Sequence, residues 1–191
     1  MKASGKTSLK LTWTKVSNAD GYDIFFKKCG AGDYPLIVTV KASASRHYKV
    51  SGLKKSTSYK AYVKAWKKVR GVKTTIGKAS PTVHAITGGY KARSCNAKSV
   101  KVGKSSLKLK VGATKMIKAS VKGVKSDRKV LAHDRQLRYY TSDRNVATVT
   151  KAGKIRAKGV GSCTIYVMAN DGVRASIKVR VYDGPKRVSF N

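Results

Sequence analysis

The side chains able to do chemistry are few and scattered. Of the three histidines, His47, His84 and His133, none has a Cys, Asp or Glu at metal-ligand spacing. His133 is followed by Asp134, with Asp127 near it, so Asp127, Asp134 and Asp143 are the set from which a general base or a calcium cluster could be drawn. Loop acids that neutralise neighbouring Arg residues explain the same three more simply. All eight acids are Asp, they are dispersed, and there is no Glu. No carboxylate pair of the kind that flanks a scissile glycosidic bond is therefore expected. A Gly-rich phosphate loop opening a helix and a Gly-x-Ser-x-Gly nucleophile motif are both missing. Cys29, Cys95 and Cys163 are far apart and odd in number, without a Cys-x-x-Cys, so neither a zinc site nor reliance on disulfides is expected. No catalytic residue, metal or cofactor follows from this inventory, and the chain reads as non-enzymatic.

Charge is the stronger signal. Lys and Arg number 43 against the 8 acids, a net charge of +35. Up to Tyr90 there are 18 bases and 3 acids, and after it 25 and 5, so the charge is spread over the whole chain and is not a basic tail. Such a field attracts polyanions over a Debye length of roughly 8–10 Å. Charge alone leaves open which one: nucleic acid, teichoic acid, sulfated glycan or anionic lipid, or simply a soluble surface tuned to its habitat. No helix-turn-helix, RNP-type or zinc motif accompanies it, which disfavours nucleic acid. No apolar run is long enough to cross a membrane as a helix. The opening Met1-Lys2-Ala3-Ser4-Gly5-Lys6 has no signal-peptide core. Either a cytosolic protein or an internal piece of a longer exported chain is expected.

The elements that must carry these residues are short runs of alternating apolar and polar residues, split by Gly, Ser, Asn and Asp. Residues 8–14 put Leu9, Leu11 and Trp13 on one face; 22–27 put Tyr22, Ile24 and Phe26 on one face; 59–66 put Tyr59, Ala61, Val63 and Ala65 on one face. The outward partners are mostly Lys and Thr, as in antiparallel sheets solvated on one side. Leu36–Val40 gives a further strand. Residues 18–21 and 28–33 are turn chemistry. Residues 87–94 lack alternation and read as a linker. A second series of strands follows, with cores at Leu107 and Leu109, Ile117, Val146 and Val149, Ile155, Ile165 and Val167, and 175–181. The expectation is an all-β chain of two tandem immunoglobulin-like β-sandwiches: residues 1–88, a linker at 89–96, residues 97–183, and an exit linker at 184–191. The absence of Glu, a strong helix former, agrees with this.

Residues 1 to about 87 resemble a fibronectin type III domain. Trp13 stands at the family's strand-B core Trp, and Tyr22 opens the third strand. Gly52-Leu53-Lys54-Lys55-Ser56-Thr57-Ser58-Tyr59 resembles the Leu-x-Pro-x-Thr-x-Tyr corner, which implies that the Tyr59 hydroxyl bonds back to the backbone while its ring enters the core. Residues from about 97 to 182 resemble the bacterial immunoglobulin-like domain, group 2. The resemblance rests on residues 107–114, on 140–149 ending in Val146-Ala147-Thr148-Val149, and on 153–165. Tyr140 stands where that family usually has Trp. The loop from Gly123 to Arg135 is longer and more basic than expected.

What the resemblances imply is a place and a style of use. Such modules occur in tandem in exported bacterial proteins, where they space, present or bind. The function expected is a non-catalytic extracellular module pair of a bacterial cell-surface or adhesion protein, acting as spacer or as a protein or glycan interaction segment. The alternatives are a binding module for anionic polymers (teichoic acid, sulfated or sialylated glycans) and accessory domains of an exported carbohydrate-active enzyme. Partners expected are an anionic cell-wall polymer or a host glycan or protein, with no membrane insertion and a monomeric state. In the first domain the resemblance also makes strands C and F neighbours. Their outward residues Phe25, Lys27, Lys60, Tyr62, Lys64 and Trp66 then form a candidate ligand patch, with rings to stack on sugars and ammonium groups to meet anions. Cross-strand packing is the simpler account of the same rings. A weaker candidate is the basic stretch 122–129 with Arg135 and Arg138.

Overall fold

The computed structural model describes residues 1–89, 94–132 and 135–184, and among them there is no helix. Contacts divide the chain into two compact units. One comprises Met1–Asn96 with Lys125–Leu131 and Asn170–Gly172; the other comprises Ala97–Val124, Ala132–Ala169 and Val173–Asn191. Strand-rich sheets throughout make the chain all-β, as expected.

The first unit is built on β1 (Lys2–Ala3), β2 (Leu9–Thr12), β3 (Gly21–Lys28), β4 (Leu36–Lys41), β5 (His47–Val50), β6 (Ser58–Val69), β7 (Val72–Ile76) and β8 (Val83–Ile86). One sheet has the order β1-β2-β5. The other runs β4-β3-β6-β7, and β8 also pairs with β6. The length of β6 explains the double pairing: its first half, Ser58–Ala61, takes β8, and its second half, Ala65–Val69, takes β7. Alternation decides the faces. Leu9 and Leu11, Tyr22, Ile24 and Phe26, and Tyr59, Ala61, Val63 and Ala65 are buried in one core, with Trp13 and Leu53 packed against it. Two tyrosines tie loops to this core through their hydroxyls. The Lys54 N–H donates to the Tyr59 hydroxyl at 3.0 Å, the corner implied by the resemblance, and the Val16 N–H donates to the Tyr22 hydroxyl at 3.0 Å. Ser56, within this corner, takes φ +50°.

Residues 90–93 of the expected linker lie outside the described residues. In its last part Ser94–Cys95 forms β9, which pairs in parallel with β14 (Lys129–Val130), a strand inside the expected basic loop. Asn96 is buried. Its Oδ1 accepts from the Ile86 N–H at 2.8 Å, and its Nδ2 donates to the Ile86 carbonyl at 2.9 Å. A side-chain amide here completes both backbone bonds of a strand residue, which pattern reading cannot see because a lone Asn looks like turn chemistry.

The second unit contains β10 (Ala97–Val102), β11 (Ser106–Lys110), β12 (Thr114–Met116), β13 (Ala119–Gly123), β15 (Arg138–Thr141), β16 (Ala147–Val149), β17 (Lys154–Ala157), β18 (Gly161–Met168) and β19 (Arg174–Tyr182). Its sheets are β11-β19-β18-β15, β12-β17-β16 and the pair β10-β13. The β11–β19 pairing is parallel; the others are antiparallel. Val146, Ile155, Ile165 and Val167 lie in the buried core, and Leu107, Leu109 and Val149 pack against it partly exposed.

Cys29 is half-buried, Cys95 and Cys163 are buried, and none of the three forms a disulfide. Burial pushes the Cys163 thiol pKa up. A hydrogen bond with Thr141 opposes the shift, and the Asp143 charge adds to it. A folded pKa above the unfolded one means that the contribution to stability is whole below the ordinary thiol pKa and is lost as pH rises through the folded value. Cys163→Ala should therefore flatten the alkaline decline in stability, read from urea melts taken between about pH 7 and about pH 10. Tyr59→Phe leaves the ring in place but strips the acceptor from the Lys54 N–H. A loss of about 1 kcal/mol is expected, seen as a lower urea midpoint with an unchanged slope.

Candidate functional site

The register of β3 on β6 builds the candidate patch. Phe25 pairs with Tyr62, Lys27 with Lys60, Asp23 with Lys64 and Gly21 with Trp66. With period-2 alternation all of these side chains stand on the outer face of the sheet. The expected residues are thus brought together. Two further residues join them that the alternation did not suggest. Tyr34 comes from the turn after β3. Lys73 comes from β7, which pairs with β6 through a two-residue hairpin at Arg70-Gly71, with φ +50° and +82°. A Gly-containing dipeptide between alternating residues, Val69 and Val72 here, is the signal that could have found β7.

Ring geometry changes the reading of the patch. Phe25 and Tyr62 stack at 4.7 Å between centroids with planes 10° apart, and Tyr34 meets Tyr62 edge-on at 5.0 Å. Lysines lie over these rings. Lys27 Nζ is 4.3 Å and Lys60 Nζ 5.3 Å from the Tyr34 centroid; Lys64 Nζ is 5.1 Å from Phe25 and 5.9 Å from Tyr62. Ring faces that could stack on a sugar are thus turned to one another or covered by cations. The aromatics form a bed that fixes where the ammonium groups sit.

Trp66 departs from the expectation of an exposed ring, being only 9% exposed. The reason is Gly21. A Cβ at that position would stand 2.6 Å from the Val40 carbonyl oxygen and would overlap the Trp66 indole, so the indole lies down over the glycine and covers backbone that would otherwise be bare. Lys73 Nζ closes over it at 4.8 Å. The indole N–H is buried without a hydrogen-bond partner among the described residues. Trp66 is therefore a packing residue.

The electrostatics of the face are one-sided. Asp23 is the acid among the paired positions, and it is consumed: Lys73 Nζ lies 2.7 Å from Oδ1, and the Thr39 hydroxyl donates to the same oxygen at 2.7 Å. Lys27 donates to the Ala31 carbonyl at 2.9 Å, and among the described residues no acid forms an ion pair with Lys60 or Lys64. The other sheet of this unit carries a row of its own, Lys2 opposite Lys10 and Lys10 opposite Lys49, all exposed. Like charges directly across a sheet oppose its formation unless an anion intervenes.

The remaining expected groups do not converge. His133 and Asp134 lie outside the described residues. Asp127 lies 3.8 Å from Arg128 Nε, and Asp143 accepts from the Asn145 N–H at 2.8 Å, a local turn contact. His84, opposite Lys60, has Nδ1 3.8 Å from Cys29 Sγ. Among the described residues no group of three His, Cys, Asp or Glu could hold a metal ion. Arg138 belongs to β15 and not to a loop.

Known families match both halves of the chain. The fibronectin type III domain family matches residues 1–76, and the bacterial Ig-like domain (group 2) family matches residues 96–179. No curated protein matches it. Solved structures that align with it include the S-layer protein rSbsC(31–844), 14% identical with a TM-score of 0.42, over 93% of this chain and 22% of that one. Domains 4 and 5 of the S-layer protein SbsC align at 13% identity and TM-score 0.38, over 90% and 78%. The C-terminal 282-residue fragment of intimin, solved in complex with the intimin-binding domain of the translocated intimin receptor, aligns at 17% and 0.31, over 94% and 57%. The chain thus spans 22% of the first of these and 57% of the intimin fragment. Residues 1–76 belong to the fibronectin type III family and residues 96–179 to the group 2 bacterial Ig-like family, in that order along one chain.

Proposed function

We propose that the chain is a non-catalytic extracellular module pair of a bacterial cell-surface protein, with modules at 1–88 and 97–183, and that its first module engages an anionic polymer. The two family matches in tandem support the first part. The observation that carries the second is the row Lys27, Lys60 and Lys64, held at 4.3–5.9 Å over Tyr34, Phe25 and Tyr62 beside an acid that Lys73 and Thr39 already satisfy. Each ammonium presents three donors on a flexible stem. Holding that stem on a ring before binding lowers the entropy lost when a phosphate, sulfate or carboxylate docks. A repeating polyanion suits a row of point charges along a strand pair. A neutral sugar, which needs an open ring face, does not.

Retention on immobilised heparin and on immobilised polyphosphate tests this. Wild type should bind both and elute as salt rises, because binding releases counterions. The triple variant Lys27→Gln, Lys60→Gln, Lys64→Gln should elute at clearly lower salt than Lys2→Gln, Lys10→Gln, Lys49→Gln, which removes equal charge from the opposite sheet. Equal shifts in the two variants would mean that only total charge matters, and the patch would lose its role.

A further inference from the structure

A groove in the second unit has a chemistry quite different from the lysine-covered sheet. It encloses about 330 Å³, the lower end of the range for small-molecule sites. Leu107, Ile117 and Ile177 form its floor, Met116 stands at its lip, and Lys104, Lys115 and Lys118 surround it. Ile177 is buried, Leu107 and Ile117 pack partly exposed against the core, and Met116 is 53% exposed. The three lysines are all exposed, and no acid lines the groove.

Sheet topology explains why a gap opens here. Among the described residues β11 pairs only with β19, β12 only with β17, and β13 only with β10. The chain leaves the β12 sheet at Met116 and joins β10 from Ala119 on, so Ile117 and Lys118 cross between two sheets. The crossing is anchored at both ends, by the Ile117 N–H to the Gly153 carbonyl at 3.0 Å and by the Gly103 N–H to the Lys118 carbonyl at 2.9 Å. A held-open slot is left between unpaired strand edges, with carbon at its base. Lysine stems extend along such apolar walls while their heads reach water above. The result is one apolar end and one cationic end within the length of a side chain.

We propose that this groove binds a small single-chain aliphatic carboxylate, its tail on Leu107, Ile117 and Ile177 and its head among Lys104, Lys115 and Lys118. Charge complementarity selects the head: three cations and no acid favour an anion and penalise a cation. The apolar floor selects the tail, since a bare anion would gain nothing from it. The site is in a different module from the polyanion face and does not depend on it.

The test uses the full chain, ¹³C-methyl NMR of its Leu, Ile and Met residues, and octanoate as probe. Saturable shifts at Leu107, Met116, Ile117 and Ile177 are expected, with acetate producing none of them. Lys104→Gln, Lys115→Gln, Lys118→Gln changes only exposed side chains and should weaken octanoate by roughly tenfold or more. Met116→Glu, at an exposed position, should do the same by repulsion. The proposal is overturned if octanoate shifts no groove methyl, if acetate or octyltrimethylammonium shifts them equally, or if the lysine and Met116 variants bind octanoate as wild type does.

Discussion

The pairing of β3 with β6 is the constraint on which the first module depends. Its register sets Tyr22 opposite Ala65, Ile24 opposite Val63 and Phe26 opposite Ala61 inside, and Asp23, Phe25 and Lys27 opposite Lys64, Tyr62 and Lys60 outside. Because strand side chains alternate with period 2, a slip of one residue would exchange the two sets. For β6 it would carry Lys60 and Lys64 into the core and Tyr59, Ala61 and Val63 into water. The stacking of Phe26 on Tyr59 at 5.2 Å within, and of Phe25 on Tyr62 without, rewards the same register on both faces. Core and candidate surface are thus two consequences of one alignment, and neither could be altered by sliding a strand without destroying the other.

The chain also has to fold against its own charge. A net +35 on 191 residues repels itself whenever the molecule is compact, and so few acids cannot neutralise it pair by pair. The charge is instead kept at outward strand positions and in loops, and the first module places some of it on aromatic faces, where the ring quadrupole offsets part of the repulsion without any carboxylate. Stability then rests on two dry cores, and added salt should help the folded state by screening.

Much of this was legible in the residues themselves. Alternation at Leu9 and Leu11, Tyr22 to Phe26 and Tyr59 to Ala65 carried enough signal to assign faces, because one side of each strand is buried and the other is not. The Leu53–Tyr59 corner was legible through its resemblance to the fibronectin type III motif. The pairing of strands distant in sequence came only through resemblance. What alternation could not show was depth. Trp66 lies on the outer face as its parity requires, yet it is buried, because Gly21 across the strand leaves a space that only a large ring fills. Tyr34 and Lys73 were missed because their roles come from a turn and from an edge strand whose residues Val72–Thr75 are exposed. The groove lined by Leu107 and Met116 was invisible for a further reason: a gap is a property of where sheets separate, and no local pattern records it.

The parallel partnership of β11 and β19 bears on how the second module carries load. One strand stands early in the module and the other closes it, and they lie side by side running the same way, with five residue pairs in register from Ser106↔Lys178 to Lys110↔Tyr182. Once β10 had parted from β13, tension applied between the module's two chain ends would pull these strands past each other along their length. Their hydrogen bonds would then be strained together, whereas an antiparallel hairpin pulled at its open end parts one rung after another. A module built this way resists stretching through the simultaneous failure it would require.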